Sequence, residues 1–221
     1  MTTTGAVAPP PVKPTLRGVI HHWSAVAALG AGAVLVGMAP TTRAALAALV
    51  YALSVCTLLT VSAVYHRPTW EPRARAFMRR LDHAAIFVLI AGTYTPICRL
   101  GLGDVVGSRL LFWVWVAAVL GVLQSIFWVH APKPVSAALY LFVGWTVVPY
   151  FGAVRAALST AHLALLLGGG IVYSLGAVTY ALRRPNPVPG VFGYHEVFHT
   201  LTVIACACHY TLVADLVRGS R

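Results

Sequence analysis

The sequence predicts an all-α, polytopic membrane protein: a bundle of seven transmembrane helices. Three observations carry this. Of the 221 residues, 59% are apolar and only 10% charged, with a mean hydropathy of +0.80; soluble domains run about half apolar and about a quarter charged. The apolar residues fall into seven runs, each near the roughly 20 residues that cross a bilayer as a helix. The net charge is +11, from 16 Lys and Arg against five acids. A basic excess can mark a nucleic-acid binder. That requires a charged face, and too little polar surface remains to build one, so no nucleic-acid partner is expected. The basic residues belong in loops instead. The same composition excludes a soluble globular domain and a disordered chain.

Taken in order, Met1 to Arg17 reads as a flexible tail rich in Thr and Pro. It has no apolar stretch and is not a secretory signal. Residues 18–221 form a single transmembrane domain. The apolar runs are Val19–Ala39, Ala44–Tyr65, Asp82–Leu100, Leu110–Val129, Val135–Phe151, Ala161–Leu182 and His195–Val217. Pro and Gly punctuate the gaps, at Pro40, Pro68, Pro132, Pro134 and the stretch Pro185–Gly190. Pro96 falls inside the third run and predicts a kink, which a membrane bundle tolerates. Gly168, Gly169 and Gly170 in the sixth run read as a close helix contact. Cys56, Cys98, Cys206 and Cys208 all lie in apolar runs without disulfide or zinc-module spacing, and read as small packing residues.

The basic residues choose an orientation. With the N-terminus cytoplasmic, the inner segments hold Lys13, Arg17, Arg67, Arg73, Arg75, Arg79, Arg80, Lys133, Arg183 and Arg184, which is ten. The outer segments hold Arg43, Arg99, Arg109, Arg155, Arg218 and Arg221, which is six. The bias predicts N-terminus inside and C-terminus outside. It leans on the segment His66–Arg80, which also reads as a patch for anionic headgroups or as a topology signal alone. The expected location is the plasma (cell inner) membrane, as a multi-pass protein; the oligomeric state is left open.

Polar residues inside membrane segments are costly and are functional candidates by default. In this orientation the second run ends at the cytoplasmic edge with Ser62 and His66. The third begins there with Asp82 and His83, and the seventh with His195, Glu196 and His199. These residues are distant in sequence yet share one depth. His195 and His199 are four apart, so both imidazoles reach one side of a helix. Zinc favours nitrogen ligands in tetrahedral geometry, and a catalytic site keeps three protein ligands and an open position. His66, His195 and His199 supply such a set. Asp82 could bond the water of that site and accept its proton. Ser62, one turn deeper, could orient a ligand or contact a substrate carbonyl.

Plainer readings compete. A His pair one turn apart can simply pack or bond to neighbouring helices. Asp82 can be an acid stabilised by the dipole at a helix start, and Ser62 a packing residue. His195-Glu-Val-Phe-His199 also matches H-E-x-x-H, the metalloprotease helix in which Glu is the base. An intramembrane protease is therefore a rival, with the role of Glu196 open. Among the other histidines, His22 could bond to a metal ligand from outside. His21, His83, His130, His162 and His209 read as hydrogen-bonded structural residues. His209 is ten residues beyond His199, about 15 Å along a helix, and so too far to share an ion.

Three segments carry a resemblance: Ser62-Ala-Val-Tyr-His66, the stretch from Leu81-Asp82-His83 to Thr95-Pro96, and Tyr194-His-Glu-Val-Phe-His199. They resemble the hemolysin III branch of the progestin and adipoQ receptor family, over about His22 to His209. The resemblance implies seven helices with a cytoplasmic N-terminus. It implies zinc on His66, His195 and His199, with Asp82 holding the zinc water. Receptor members of that family carry Gln where this chain has Glu196, which argues against Glu196 as an essential base. Family members are related to ceramidases, so the leading expectation is a zinc-dependent hydrolase of lipid amide or ester bonds. Membrane lipids are then its substrates and the membrane lipid state its output. The alternative is a non-enzymatic membrane-state sensor in which zinc only ties helices together. A pore-forming hemolysin is disfavoured, because no polar-lined amphipathic stripe is present.

Overall fold

A computed structural model describes residues 13–220, so the first twelve residues of the expected tail lie outside the described residues. The described residues are helical almost throughout. Its helices are α1 (Val19–Gly37), α2 (Thr42–His66), α3 (Pro72–Pro96), α4 (Asp104–Phe127), α5 (Lys133–Gly144), α6 (Phe151–Ala157), α7 (Thr160–Leu182) and α8 (Tyr194–Gly219). Helices α5 and α6 together make one crossing. Among the described residues, seven segments are long and apolar enough to span a membrane, as expected.

Neighbours in sequence pack as neighbours in space, from α1 on α2 to α3 on α4, with α5 reaching α7 and α7 lying along α8. Contact of α8 with α1 closes the ring. Helix α8 also touches α2 and α3. Those three helices are the most buried of the spans, and they carry Ser62, His66, Asp82, His195, Glu196 and His199. Outward faces stay apolar, as at Trp23, Leu29, Phe142 and Leu182, which suits a lipid surround.

Local chemistry explains the boundaries. Thr41 caps α2, its hydroxyl accepting from the Ala44 amide at 3.2 Å, and Ser159 caps α7 through the His162 amide at 3.2 Å. Helix α3 starts at Pro72, ten residues before the apolar run. Pro suits a first helical position because its missing N–H has no partner there anyway. The residues Arg73, Arg75, Arg79 and Arg80 therefore form helical turns rather than a loop. Asp82 sits about three turns into α3, so it is not the helix-start acid that hydropathy suggests.

Two proline effects differ from each other. At Pro96 the α-helix gives way to a π-type turn over Ile97–Gly101, which keeps the crossing continuous. In the fifth crossing α5 stops at Gly144, and a short 3₁₀ turn, Val148–Tyr150, precedes α6. Pro149 supplies no N–H and disfavours helical backbone before it. Tyr94 from α3 repairs the break: its hydroxyl donates to the Gly144 carbonyl at 2.6 Å and accepts from the Val147 amide at 3.2 Å. Trp145 donates across to Ser174 Oγ of α7 at 3.0 Å.

The Pro-rich stretch between α7 and α8 is ordered by its own pairing. Val188 and Phe192 exchange backbone hydrogen bonds around Gly190, whose φ is +79°. Residues 15 and 16 add to this turn, the Thr15 amide donating to the Gly190 carbonyl and the Leu16 amide to the Val191 carbonyl. The segment before α1 is thus strapped across the start of α8.

A candidate metal centre at the head of an apolar cavity

The three predicted ligand histidines meet. His66 is the last residue of α2, and His195 and His199 occupy the first two turns of α8. One ring nitrogen from each lies within 4.8 Å of the others. The Nε2 atoms of His66 and His195 are 3.1 Å apart. Ring centroids are 4.6 Å apart for His66 and His195, 4.6 Å for His195 and His199, and 5.1 Å for His66 and His199. In a tetrahedral zinc site with bonds near 2.0–2.1 Å, ligand nitrogens stand about 3.3 Å apart. The observed set approaches this spacing, and all three donors are of one chemical type, so the residues present fit a nitrogen-preferring metal ion.

Asp82 arrives from α3. Its Oδ2 lies 3.6 Å from His66 Nε2, so the carboxylate faces the same point as the histidines. Ser62, one turn before His66, is buried beside Asp82, and its hydroxyl makes no well-formed hydrogen bond among the described residues. Such an orphaned buried hydroxyl is uncommon in a protein interior and marks a place for a further partner.

Ser62, Asp82 and His199 stand at one end of an internal cavity of about 120 Å³. Beyond them its walls are mainly apolar: Leu58, Leu89, Ile90 and Phe198 among others. It extends past Thr93 and Tyr173 to Trp145, Gly170 and His209. From His199 to His209 is about 15 Å along α8. The cavity thus has a polar head and a mainly apolar body.

Glu196 has a definite role that sequence reasoning left open. It is fully buried, with its Oε2 accepting from the Gly193 amide at 2.9 Å and its Oε1 from Arg17 Nε at 2.5 Å. The first bond caps α8 at its N-terminus; the second fixes the strap. Both carboxylate oxygens are thereby engaged in holding the helix start and the strap.

The strap also touches the centre. Gly18 has φ +77°, and a Cβ there would stand 2.9 Å from the Cβ of His66. A side chain at this position would push on a candidate metal ligand, and the positive φ itself favours glycine. Lys13 donates to the carbonyls of Arg67 and Pro68, at 2.8 and 3.3 Å, just past the end of α2.

The other histidines sort differently than expected. His22 is exposed, whereas His21 faces inward at 2% exposure. Its ring stacks flat on His199, with centroids 3.7 Å apart and an interplanar angle of 9°. A signal for this existed: His21 shares a helical face with Ala25 and Gly32, small residues of the kind that let membrane helices approach. His209 takes the structural role expected of it. Its Nε2 bonds the Leu166 carbonyl at 3.2 Å, and its ring fills the space above Gly169, where a Cβ would collide with it. Of the three successive glycines, Gly169 is thus the one whose lack of a side chain is required. His162 lies 3.9 Å from Asp215, away from the centre. His130 is exposed.

Fold and centre together define a class: a seven-helix membrane protein with a three-histidine candidate metal site and a neighbouring carboxylate at the head of an internal cavity. The chain belongs to the Haemolysin-III related family, whose description matches residues 11–210. It is 33% identical over 144 residues to Hemolysin-3 of Bacillus cereus, covering 65% of each chain. It is 32% identical over 164 residues to the Hemolysin-3 homolog of Bacillus subtilis (strain 168), covering 74% of each. It is also 24% identical over 197 residues to the human Monocyte to macrophage differentiation factor, covering 86% of this chain and 78% of that protein.

Proposed function

We propose that this protein is a zinc-dependent membrane hydrolase that cleaves an amide or ester bond in a lipid. The observation that supports the reading is the joining of two features. His66, His195, His199 and Asp82 converge at one point, and that point heads a cavity whose remaining walls are mainly apolar. In the proposed orientation the N-terminus is inside and the C-terminus outside, on the strength of the ten-to-six split of basic residues. The centre then lies at the cytoplasmic edge of the plasma membrane, near the depth of lipid carbonyl groups.

His66, His195 and His199 would hold the ion. When bound, zinc supplies Lewis acidity toward a carbonyl and eases deprotonation of water. The chain does the rest. The cavity takes the acyl chain and fixes the carbonyl at its polar end. Asp82 accepts the proton of the attacking water at its carboxylate and returns it to the leaving nitrogen or oxygen. Ser62 donates its hydroxyl hydrogen to the carbonyl oxygen, whose negative charge grows during attack. The apolar walls exclude bulk water, which strengthens each of these interactions.

A second reading has its own support. His66 and the α8 pair join two separate helices, so a metal there could serve as a structural tie in a non-enzymatic sensor. Purified zinc-loaded protein incubated with N-acyl and O-acyl lipids separates the two. The hydrolase reading expects fatty-acid release that Asp82→Ala abolishes while zinc and thermal stability persist. No release from any of these lipids, or release unchanged in Asp82→Ala, contradicts it.

A further inference from the structure

His21 is a buried polar residue that the chemistry above does not use. It is 2% exposed, and neither ring nitrogen makes a well-formed hydrogen bond among the described residues. Burying a polar group without a partner is costly. A side chain wanted only for packing at this place could be apolar, with no such cost. The ring is also held rigidly, stacked on His199 at 3.7 Å. It lines the cavity together with Ser62, Asp82 and His199. A neutral imidazole offers one donor and one acceptor. The structure therefore places an unspent donor and acceptor, on a fixed ring, at the polar end of an apolar pocket.

We propose that His21 is a binding residue for the polar head of the lipid, hydrogen-bonding a carbonyl, amide or hydroxyl group of a molecule whose chain lies in the cavity. The proposal rests on the lipid reading above and adds the residue that selects the head group. His21 lies on α1 and outside the three-histidine set, so its role is separable from holding the ion. Stacking on His199 couples the two, since the plane of His199 sets where the His21 nitrogens point. A pure hydrocarbon chain would gain nothing from His21, whereas a chain ending in an amide would.

The test uses the full-length protein, zinc-loaded in detergent, with radiolabelled palmitamide as the probe and hexadecane as the headless control. His21→Phe keeps an aromatic ring against His199 and removes both nitrogens. It is expected to retain zinc and thermal stability, to weaken palmitamide binding by about three- to tenfold, and to leave hexadecane binding unchanged. His21→Asn, which restores a donor and an acceptor, is expected to recover part of the affinity. Unchanged palmitamide binding in His21→Phe overturns the proposal while leaving the lipid reading intact. Loss of zinc in His21→Phe also overturns it, because His21 would then belong to the metal set. Failure of the wild type to bind palmitamide overturns both the proposal and the lipid reading.

Discussion

Helix α8 carries two buried histidine regions, and they differ in what meets them. At its start, His195 and His199 find His66 from α2, His21 from α1 and the Asp82 carboxylate from α3. Ten residues on, His209 is as well buried but finds one carbonyl, that of Leu166, and the bare backbone of Gly169. Burial and residue type are the same in both places. Convergence is not. A histidine in a membrane helix marks a chemical centre when other helices bring further polar groups to the same point; otherwise it is a hydrogen-bonded packing residue.

The two acids near these regions give the widest expected contrast. Asp82→Asn should lower lipid hydrolysis by about 10²–10⁴-fold, the usual contribution of a general base, with zinc retained. Asp215→Asn, beside His162 and half exposed, should leave it within error. Product release measured on the purified variants decides this. Next in size is Gly169→Val. Its side chain collides with the His209 ring, and overpacking of this kind costs about 1–3 kcal/mol. The variant should melt earlier in detergent yet keep its metal, because the damage lies at the structural end of α8.

Arg17→Ala tests the strap over the chemical end. It leaves the Glu196 carboxylate buried beside Gly193 with one bond lost. Loss of a charge-assisted hydrogen bond costs about 1.5–3 kcal/mol. The expected outcome is a lowered melting temperature and faster amide exchange over residues 13–18, read by hydrogen exchange. The smallest effect belongs to Arg43→Ala. Its partner Asp104 is exposed, and such surface pairs contribute little. Its melting curve should overlay that of the wild type.

Much of this was legible in the sequence because a bilayer simplifies the problem. Only closed backbone hydrogen bonding survives there, so hydropathy runs translate directly into crossings. The meeting of Ser62, His66, Asp82 and the His195–His199 pair was expected from the same count. Four things did not follow. The start of α3 at Pro72 is hidden, because its first turns are basic and project past the apolar run. The break at Gly144 within the fifth crossing rests on Tyr94, a residue 50 positions away whose hydroxyl replaces missing helix bonds. The choice of His21 over His22 depends on which face of α1 meets protein. Hydropathy is blind to that, since lipid and protein neighbours are both apolar; only the small residues Ala25 and Gly32 on the His21 face mark it. The Arg17–Glu196 pair spans 179 positions and has no local signature.

The central claim is that three histidines from two helices hold one ion. Metal analysis of purified wild type, His66→Ala and His209→Ala tests it most directly. The account predicts about one zinc per chain in the wild type and in His209→Ala, and close to none in His66→Ala, as a site with one of three protein ligands removed requires. A wild type without metal, or a His66→Ala that keeps its full complement, would contradict it.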